Sequence, residues 1–564
     1  MFAGKCSPRG PQPSSTTDSG GLVLATMQDV PLTLTMMLRS AASTFSDALA
    51  VTAGGPGIPS RSASFGEVAE RAGRLATGLA ELGVSGDDRV ATFLWNNQEH
   101  LECYLAVPCM GAVLHTLNIR LTPDQLAFIA GHAADRAVVV DSSLIGVFAP
   151  ALERMPGVRT VVVVGDGDAA ALEGAGREVV RYDALLAGRA PFRWPDLDER
   201  SAAAMCYTSG TTGDPRGVVY SHRSAFLHSM AVCSGNVGAL TFRDRVLPVV
   251  PMFHANAWGL PYAALMSGAD LVLPDRYLSP APLVEFIERE RPTMAGAVPT
   301  IFNDLLQWMR ANPGHDITSI TRILCGGSAV PRSLIEAFET ELGVTMLQAW
   351  GMTETSPVAT SGLIPRGLLG EAAMDLRATQ GRVVFGVEAR VVGDDDAELP
   401  PDGKSVGELE VRGPWITASY YQGVDADRFH DGWLRTGDVG TLDPRGYLTL
   451  SDRAKDVIKS GGEWISSVEL ENTLMGHPEV VEACVVGVPD ERWQERPLAL
   501  VVRLAGSDVG AGTLRDWLGE RVARWWLPER WAFVEAIPRT GVGKFDKKVI
   551  RRAYAAGEFD VETV

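Results

Sequence analysis

A chain of 564 residues is too long for one compact core and is expected to form two or more domains. Its formal charge of −18, on an ordinary globular make-up of 46% hydrophobic and 21% charged residues, argues against a nucleic-acid surface, so an anionic ligand must meet a local positive cluster. The seven cysteines, at 6, 103, 109, 206, 233, 325 and 484, form no CxxC and no paired spacing, which excludes a disulfide frame or zinc site and reads as reduced cytoplasmic thiols.

Residues 1–20, MFAGKCSPRGPQPSSTTDSG, lack the apolar core of a signal peptide and read as a disordered tail. No run of about 18 apolar residues follows, so no transmembrane helix is expected, and any membrane contact would be peripheral. Short β-rich runs then recur at 89–94, 137–140, 160–164, 246–250, 271–273 and 322–324, with helical patterns between them. Such alternation predicts an α/β architecture with largely parallel sheets. One helix is predicted over 331–342, with Pro331 in its first turn, Leu334, Ile335, Phe338 and Leu342 on one face, and Gly343 to stop it. Further strands are expected at 407–411, 433–438 and 446–450, between glycine-rich turns. The polar, glycine-bearing stretch 451–462 then reads as a domain boundary, and the tail of about 110 residues beyond it is long enough to fold alone.

The densest chemistry lies in YTSGTTGDPRG, residues 207–217. Thr208, Ser209, Gly210, Thr211, Thr212 and Gly213 can only form a loop, in which glycines turn backbone N–H groups inward and hydroxyls add donors, a nest suited to phosphate oxygens. Arg216 supplies the formal charge, and Gly217 follows it. The Walker A spacing fails, because the fourth residue after Gly210 is Asp214 and the fifth is Pro215, where that motif needs a glycine. Taken alone, the stretch reads equally well as a flexible surface loop.

The loop does not stand alone. With PMFHANAW at 251–258, GGSAVP at 326–331, QAWGMTETSP at 348–357, RTGD at 435–438, DRAKDVIKSGGEW at 452–464 and PRTGVGKFDK at 538–547, it resembles, in order and spacing, the signatures of the adenylate-forming superfamily of acyl-CoA synthetases, luciferases and peptide-synthetase adenylation domains. HANAW with AWGMTE looks most like the bacterial medium- and long-chain fatty-acid–CoA ligases. The resemblance implies a large N-terminal domain of packed mixed and parallel sheets with helices and a β-rich subdomain (21–452), a hinge (453–455), and a small mobile α+β C-terminal domain (456–564). It implies ATP, Mg²⁺ and CoA as cofactor and co-substrates, with a fatty acid as the group activated.

Several roles follow from the resemblance. Arg216 and the loop would hold the β and γ phosphates; most relatives carry lysine there, and arginine keeps the charge while adding a fork. Glu354 is implied as the magnesium-linked carboxylate, with Thr208 a second candidate ligand, and Thr353 as the α-phosphate contact. Gly327, Ser328 and Ala329 with Gln348, Ala349, Trp350, Gly351 and Met352 would line the adenine slot, Trp350 standing where tyrosine is commoner and offering a stacking face. Asp438 and Arg453 would take the ribose hydroxyls, and Lys459 and Trp464 complete the nucleotide-binding set. Lys544, flanked by glycines, resembles the catalytic lysine; without the motif it would read as part of a basic surface helix with Lys547, Lys548, Arg551 and Arg552. Lys455 matches the hinge position.

Phe253, His254 and Trp258 suggest an apolar acyl tunnel, Trp258 resembling a gating tryptophan. The aspartate that pairs an amino-acid substrate is missing from PMFH, which disfavours amino acids. The chain ends at Val564 without a carrier domain, so the acceptor is expected in trans, CoA by default and an acyl carrier protein as the alternative. A short acid such as methylmercaptopropionate, a catalytically silent acyl or nucleotide sensor, and a homodimer stay open. A serine hydrolase is unsupported, since G-x-S-x-G is absent.

Overall fold

The computed structural model describes residues 26–564 apart from 174–175, 209–214, 394, 454–455, 461–462 and 541–543, and it leaves out the side chains of 453, 463 and 464. Contacts divide the chain into a leading segment, Met1–Pro31, and a unit spanning Leu32–Val564. The tail expected at 1–20 lies outside the described residues.

Two seven-stranded sheets organise the larger unit. One runs, edge to edge, through Glu178–Arg181, Thr160–Val164, Asp135–Asp141, Arg89–Phe93, Val113–Thr116, Ala202–Thr208 and Arg216–Ser221, parallel until the last antiparallel pair. The other runs through Thr345–Ala349, Arg322–Gly326, Met294–Ala297, Arg245–Pro248, Asp270–Leu273, Leu49–Thr52 and Arg61–Ser64, again parallel except at its last pair. Thr160–Val164 is buried at every position, as parallel strands covered on both faces must be. All six early runs predicted as strands match to within two residues at each end.

Between the sheets runs the helix Gln98–Cys109, buried all round. Two of the polar groups it carries into the core, Glu102 and His100, are fully partnered. Glu102 accepts from Arg71 Nε at 2.6 Å, Gln98 Nε2 at 2.7 Å and Tyr182 Oη at 2.6 Å. His100 lies 2.9 Å from both Thr92 Oγ1 and the Trp95 carbonyl, and burial pushes its pKa down to about 4.

The predicted helix at 331–342 is Arg332–Glu341, with Pro331 as its N-cap and Leu334, Ile335 and Phe338 buried. A five-stranded antiparallel sheet follows, including Gly407–Arg412, Trp433–Leu442 and Leu448–Arg453. The last of these starts two residues later than expected because Gly446, at φ +84°, is the turn before it. The C-terminal part builds its own six-stranded sheet around Val480–Asp490 and Gln494–Arg503, with a separate core about Ile458, Leu470, Val485, Leu514 and Trp531. Among the described residues all six cysteines are free, and no helix is long and apolar enough to cross a membrane.

Candidate active site

The described ends of YTSGTTGDPRG lie on two paired strands. Strands Ala202–Thr208 and Arg216–Ser221 pair antiparallel with Thr208 opposite Arg216, so hydroxyl and guanidinium stand side by side at the strand ends. Ser209, Gly210, Thr211, Thr212 and Gly213 lie outside the described residues. Gly217 sits at a close approach: a Cβ there would come 3.1 Å from Tyr207 Cζ and 3.1 Å from Tyr421 Cβ.

From this strand pair a polar chain leads to Glu354. Arg216 pairs with Asp425, and its guanidinium lies 5.3 Å from the Tyr420 ring centroid. Tyr420 donates its hydroxyl to Glu354 Oε1 at 2.6 Å, while the Thr353 carbonyl accepts from Tyr220 Oη at 2.8 Å. Glu354 is buried, and among the described residues no side chain takes its Oε2. A buried carboxylate with one oxygen left over fits a hard cation held by few protein ligands, with substrate phosphates and waters supplying the rest. Sequence reading had not singled out Tyr420, Tyr220 or Asp425; a tyrosine in a glycine- and serine-rich loop carries no distinctive signal.

Strands Arg322–Gly326 and Thr345–Ala349 are neighbours in register, Gly326 opposite Ala349, so Gly327-Ser328-Ala329 and Trp350-Gly351-Met352 leave the sheet side by side at its carboxyl edge. That edge is where open parallel sheets bind ligands. Gln348 accepts from Val330 N at 2.9 Å through Oε1, and its buried Nε2 has no partner among the described residues. The indole of Trp350 is buried among Ala359, Val383, Val387 and Leu409 and donates from Nε1 to Asp438 Oδ2 at 2.7 Å. The stacking face expected of Trp350 is therefore accompanied by a second property, an N–H directed at the residue expected to hold ribose. Asp438 pairs across the ladder with Arg453, which brings the two expected ribose contacts together. Lys459 is exposed on the short strand Ile458–Ser460, opposite Trp464 on Glu463–Ile465.

A third group converges from the C-terminal part. Lys544 Cε lies 3.8 Å from the point a Cβ would occupy on Gly327, itself at φ +88°. Burial above all, and then the charges of Lys544 and Arg120, push the His254 pKa down to about 3, so His254 is neutral at physiological pH. Trp258 lies across the ends of two neighbouring strands: its ring carbons come within 3.9 Å of the Cβ points of Gly296 and Gly327 and 3.8 Å of that of Gly326. One glycine turn thus borders both Trp258 and Lys544. Phe253, also buried, packs instead into the core that holds Ala91, Phe93 and Leu117.

The backbone carrying Trp258 is unusual. Ala255, Asn256, Ala257 and Trp258 have φ of 43°, 51°, 49° and 57°, followed by Gly259 at 70°. A left-handed course costs roughly 1–2 kcal/mol for each residue with a Cβ, so surrounding contacts must impose it.

Two packed parallel sheets ending in a glycine turn, met there by a lysine from the C-terminal part, define an adenylate-forming architecture. Comparison with known proteins agrees. The model of the AMP-binding enzyme family matches residues 38–421, and that of the AMP-binding enzyme C-terminal domain matches 469–544. A 3-methylmercaptopropionyl-CoA ligase of Ruegeria pomeroyi is 46% identical over 86% of this chain and 91% of its own. A medium-chain-fatty-acid–CoA ligase of Ectopseudomonas oleovorans is 42% identical over 86% and 90%, and a long-chain-fatty-acid–CoA ligase of Thermus thermophilus 44% over 94% and 97%. Among solved structures, ATP-bound MatB from Rhodopseudomonas palustris superposes with a TM-score of 0.78 at 26% identity, covering 93% of this chain and 99% of that one. An anthranilate CoA ligase with anthranoyl-AMP shares the fold at TM-score 0.83 and 24% identity, over 94% and 100%. The chain belongs to the AMP-binding enzyme family.

Proposed function

We propose that this protein joins a carboxylic acid to coenzyme A in two steps, through an acyl adenylate, and that the acid is a medium- to long-chain fatty acid or a short thioether acid. The observation that carries this reading is the convergence of Lys544, Gly327, Trp258 and neutral His254, which lets an acid entering beside Trp258 meet a nucleotide phosphate beside Lys544.

In the first step a carboxylate oxygen attacks the α-phosphorus of ATP and pyrophosphate leaves. Negative charge builds on the transferring group, and positioned cations stabilise it more than any covalent help could. Lys544 bridges carboxylate and α-phosphate; Arg216, with Thr208 and the loop residues 209–213, holds the outgoing phosphates. Glu354, oriented by Tyr420, and Thr208 would hold Mg²⁺, which neutralises phosphate charge when bound. Asp438, oriented by Trp350, takes the ribose. In the second step the CoA thiol attacks the acyl carbon and AMP leaves. Lys544 must then withdraw, and the 453–455 segment, with Lys455, is the hinge on which residues 456–564 turn.

The apolar tunnel wall and the fatty-acid ligases at 42% and 44% identity favour an alkyl chain, while the 46% identity to a 3-methylmercaptopropionyl-CoA ligase favours a short thioether. The enzyme works in the cytoplasm on acid, ATP and CoA. Pyrophosphate release measured over straight-chain acids of increasing length and 3-methylmercaptopropionate, each with CoA and with a phosphopantetheinylated carrier protein, tests the reading. Acid-dependent release with thioester on CoA is expected; release without CoA thioester, or none with any acid, overturns it.

A further inference from the structure

The left-handed turn at 255–258 needs an anchor, and the described residues contain one. Asn256, a residue whose short polar side chain tolerates positive φ, is buried, and its Oδ1 accepts from the Cys206 thiol at 3.0 Å and lies 3.4 Å from Thr116 Oγ1. Thr116 Oγ1 is also 3.4 Å from the Phe253 carbonyl and from Cys206 Sγ. Cys206 and Thr116 are themselves buried, on adjacent parallel strands of the sheet that carries Arg216, Cys206 two residues before Thr208. The turn is closed by backbone bonds from Ala257 N to the His254 carbonyl at 3.0 Å and from Gly259 N to that of Asn256 at 3.0 Å.

We propose that Asn256 is a positioning residue: by hanging the tunnel turn from Cys206 and Thr116, it keeps Trp258 laid across Gly296, Gly326 and Gly327 and so sets the acyl chain the tunnel accepts. Ala255, Ala257 and Trp258 each favour negative φ by themselves. Once the amide anchor is gone, their relaxation turns the indole off the glycines. Cys206 and Thr208, on the strand that leads into the phosphate loop, are held by ladder pairing with Val218 and Arg216 whatever stands at 256, so the change falls on the acid and leaves ATP binding in place. The proposal rests on the acyl-ligase reading.

Three variants separate the anchor from the backbone. Asn256→Gly keeps freedom at positive φ and removes the acceptor; Asn256→Asp keeps a short acceptor; Thr116→Val removes one donor. Each is measured for kcat/KM over the acid panel and for KM of MgATP, and its ligand-free form for hydrogen exchange of a peptide covering 253–260. Asn256→Gly is expected to change the ratio of kcat/KM between the longest and shortest accepted acids by about tenfold, with KM for MgATP within about twofold, and to raise exchange in that peptide alone. Asn256→Asp should restore both. A uniform slowing over all acids, an unchanged profile with unchanged exchange, or an Asp variant that behaves like Gly overturns the proposal. Should Asn256→Gly fail to fold, Thr116→Val is read by the same criteria. The wild-type panel comes first: no turnover of any alkanoic or thioalkanoic acid ends the proposed function, and the Asn256 ratio is then taken across whichever acids the enzyme does use.

Discussion

Trp350 Nε1 donates to Asp438 Oδ2 at 2.7 Å, with both residues buried and far apart in sequence. A carboxylate that is to accept from ribose hydroxyls needs a fixed orientation, and an indole N–H, being a donor only, provides it without competing for protons. Replacing Trp350 by phenylalanine keeps an aromatic face and removes that donor. Hydrogen bonds to charged groups contribute about 1.5–3 kcal/mol, so Trp350→Phe should raise KM for ATP by about 10-fold or more while KM for the acid stays put. Isothermal titration with AMP gives the same test without turnover. If phenylalanine binds AMP as well as tryptophan does, stacking alone is the function of the ring.

Lys544 meets Gly327 from the C-terminal part, where on the proposed mechanism its ammonium would serve the charge that develops on the α-phosphate. Lys544→Ala should abolish acyl-adenylate formation by about 10²-fold or more yet spare thioester formation from supplied acyl adenylate. Single-turnover assays of the two halves decide it: equal loss in both, in a folded variant, would remove Lys544 from the first step.

What the sequence made legible, and what it hid, divides along physical lines. Buried parallel strands announce themselves as apolar runs, and Thr160–Val164 was readable to the residue. The glycine-rich motifs were equally plain, since few other functions demand such loops in that order. Contacts that depend on tertiary placement were not. ANAW carries no glycine before Gly259, so nothing in its letters foretells four left-handed residues, and only the asparagine hints at one. Lys547, offered above as one of a row of surface cations, has its Nζ 2.9 Å from Glu471 Oε1 and is largely buried. A helix with Lys547, Lys548, Arg551 and Arg552 on it looks uniformly wet until its neighbours are known.

Four histidines, His100, His222, His228 and His254, are held neutral chiefly by burial, with pKa values pushed down to about 4, 4, 3 and 3. Each folded value lies below the unfolded one, so the unfolded chain binds protons the native state does not. The stability these groups contribute is complete above about pH 6.5 and is lost as pH falls toward their folded values, at about 1.4 kcal/mol per histidine per pH unit. His228 tests this cleanly, because its Nε2 accepts from Val358 N at 3.2 Å and a glutamine oxygen can do the same without titrating. Between pH 7.5 and 5, His228→Gln should lose about 2 kcal/mol less stability than wild type in urea titrations. Parallel losses in the two proteins would mean that His228 does not stay neutral.

The last prediction concerns Lys455, which lies, with Ala454, outside the described residues, although the chain on either side is pinned. Before it, Asp452 Oδ2 accepts from Ser467 N at 3.0 Å and from the Ser467 hydroxyl, which in turn accepts from Lys547 Nζ. After it, Asp456 pairs with Arg551 at 2.9 Å. The Asp456 pair lies within the C-terminal part and would travel with it, whereas the Asp452 bonds cross from the strand Leu448–Arg453 and would break in a swing, so the rotation falls on the residues between 452 and 456. On the proposed mechanism two chemistries share one site, and Lys544 would stand over the phosphates for the first and vacate that space for a pantetheine thiol in the second. Such a swing is absorbed as large φ and ψ changes at one or two positions. Proline at 455 would lock φ near −65° and also constrain Ala454 before it. Lys455→Pro should therefore fold and retain ATP–pyrophosphate exchange within about threefold, yet deliver acyl groups to CoA at least about tenfold more slowly. Both assays are run on the same preparation, with the melting temperature as the check on folding. Equal loss in the two, or none in either, would put the pivot elsewhere.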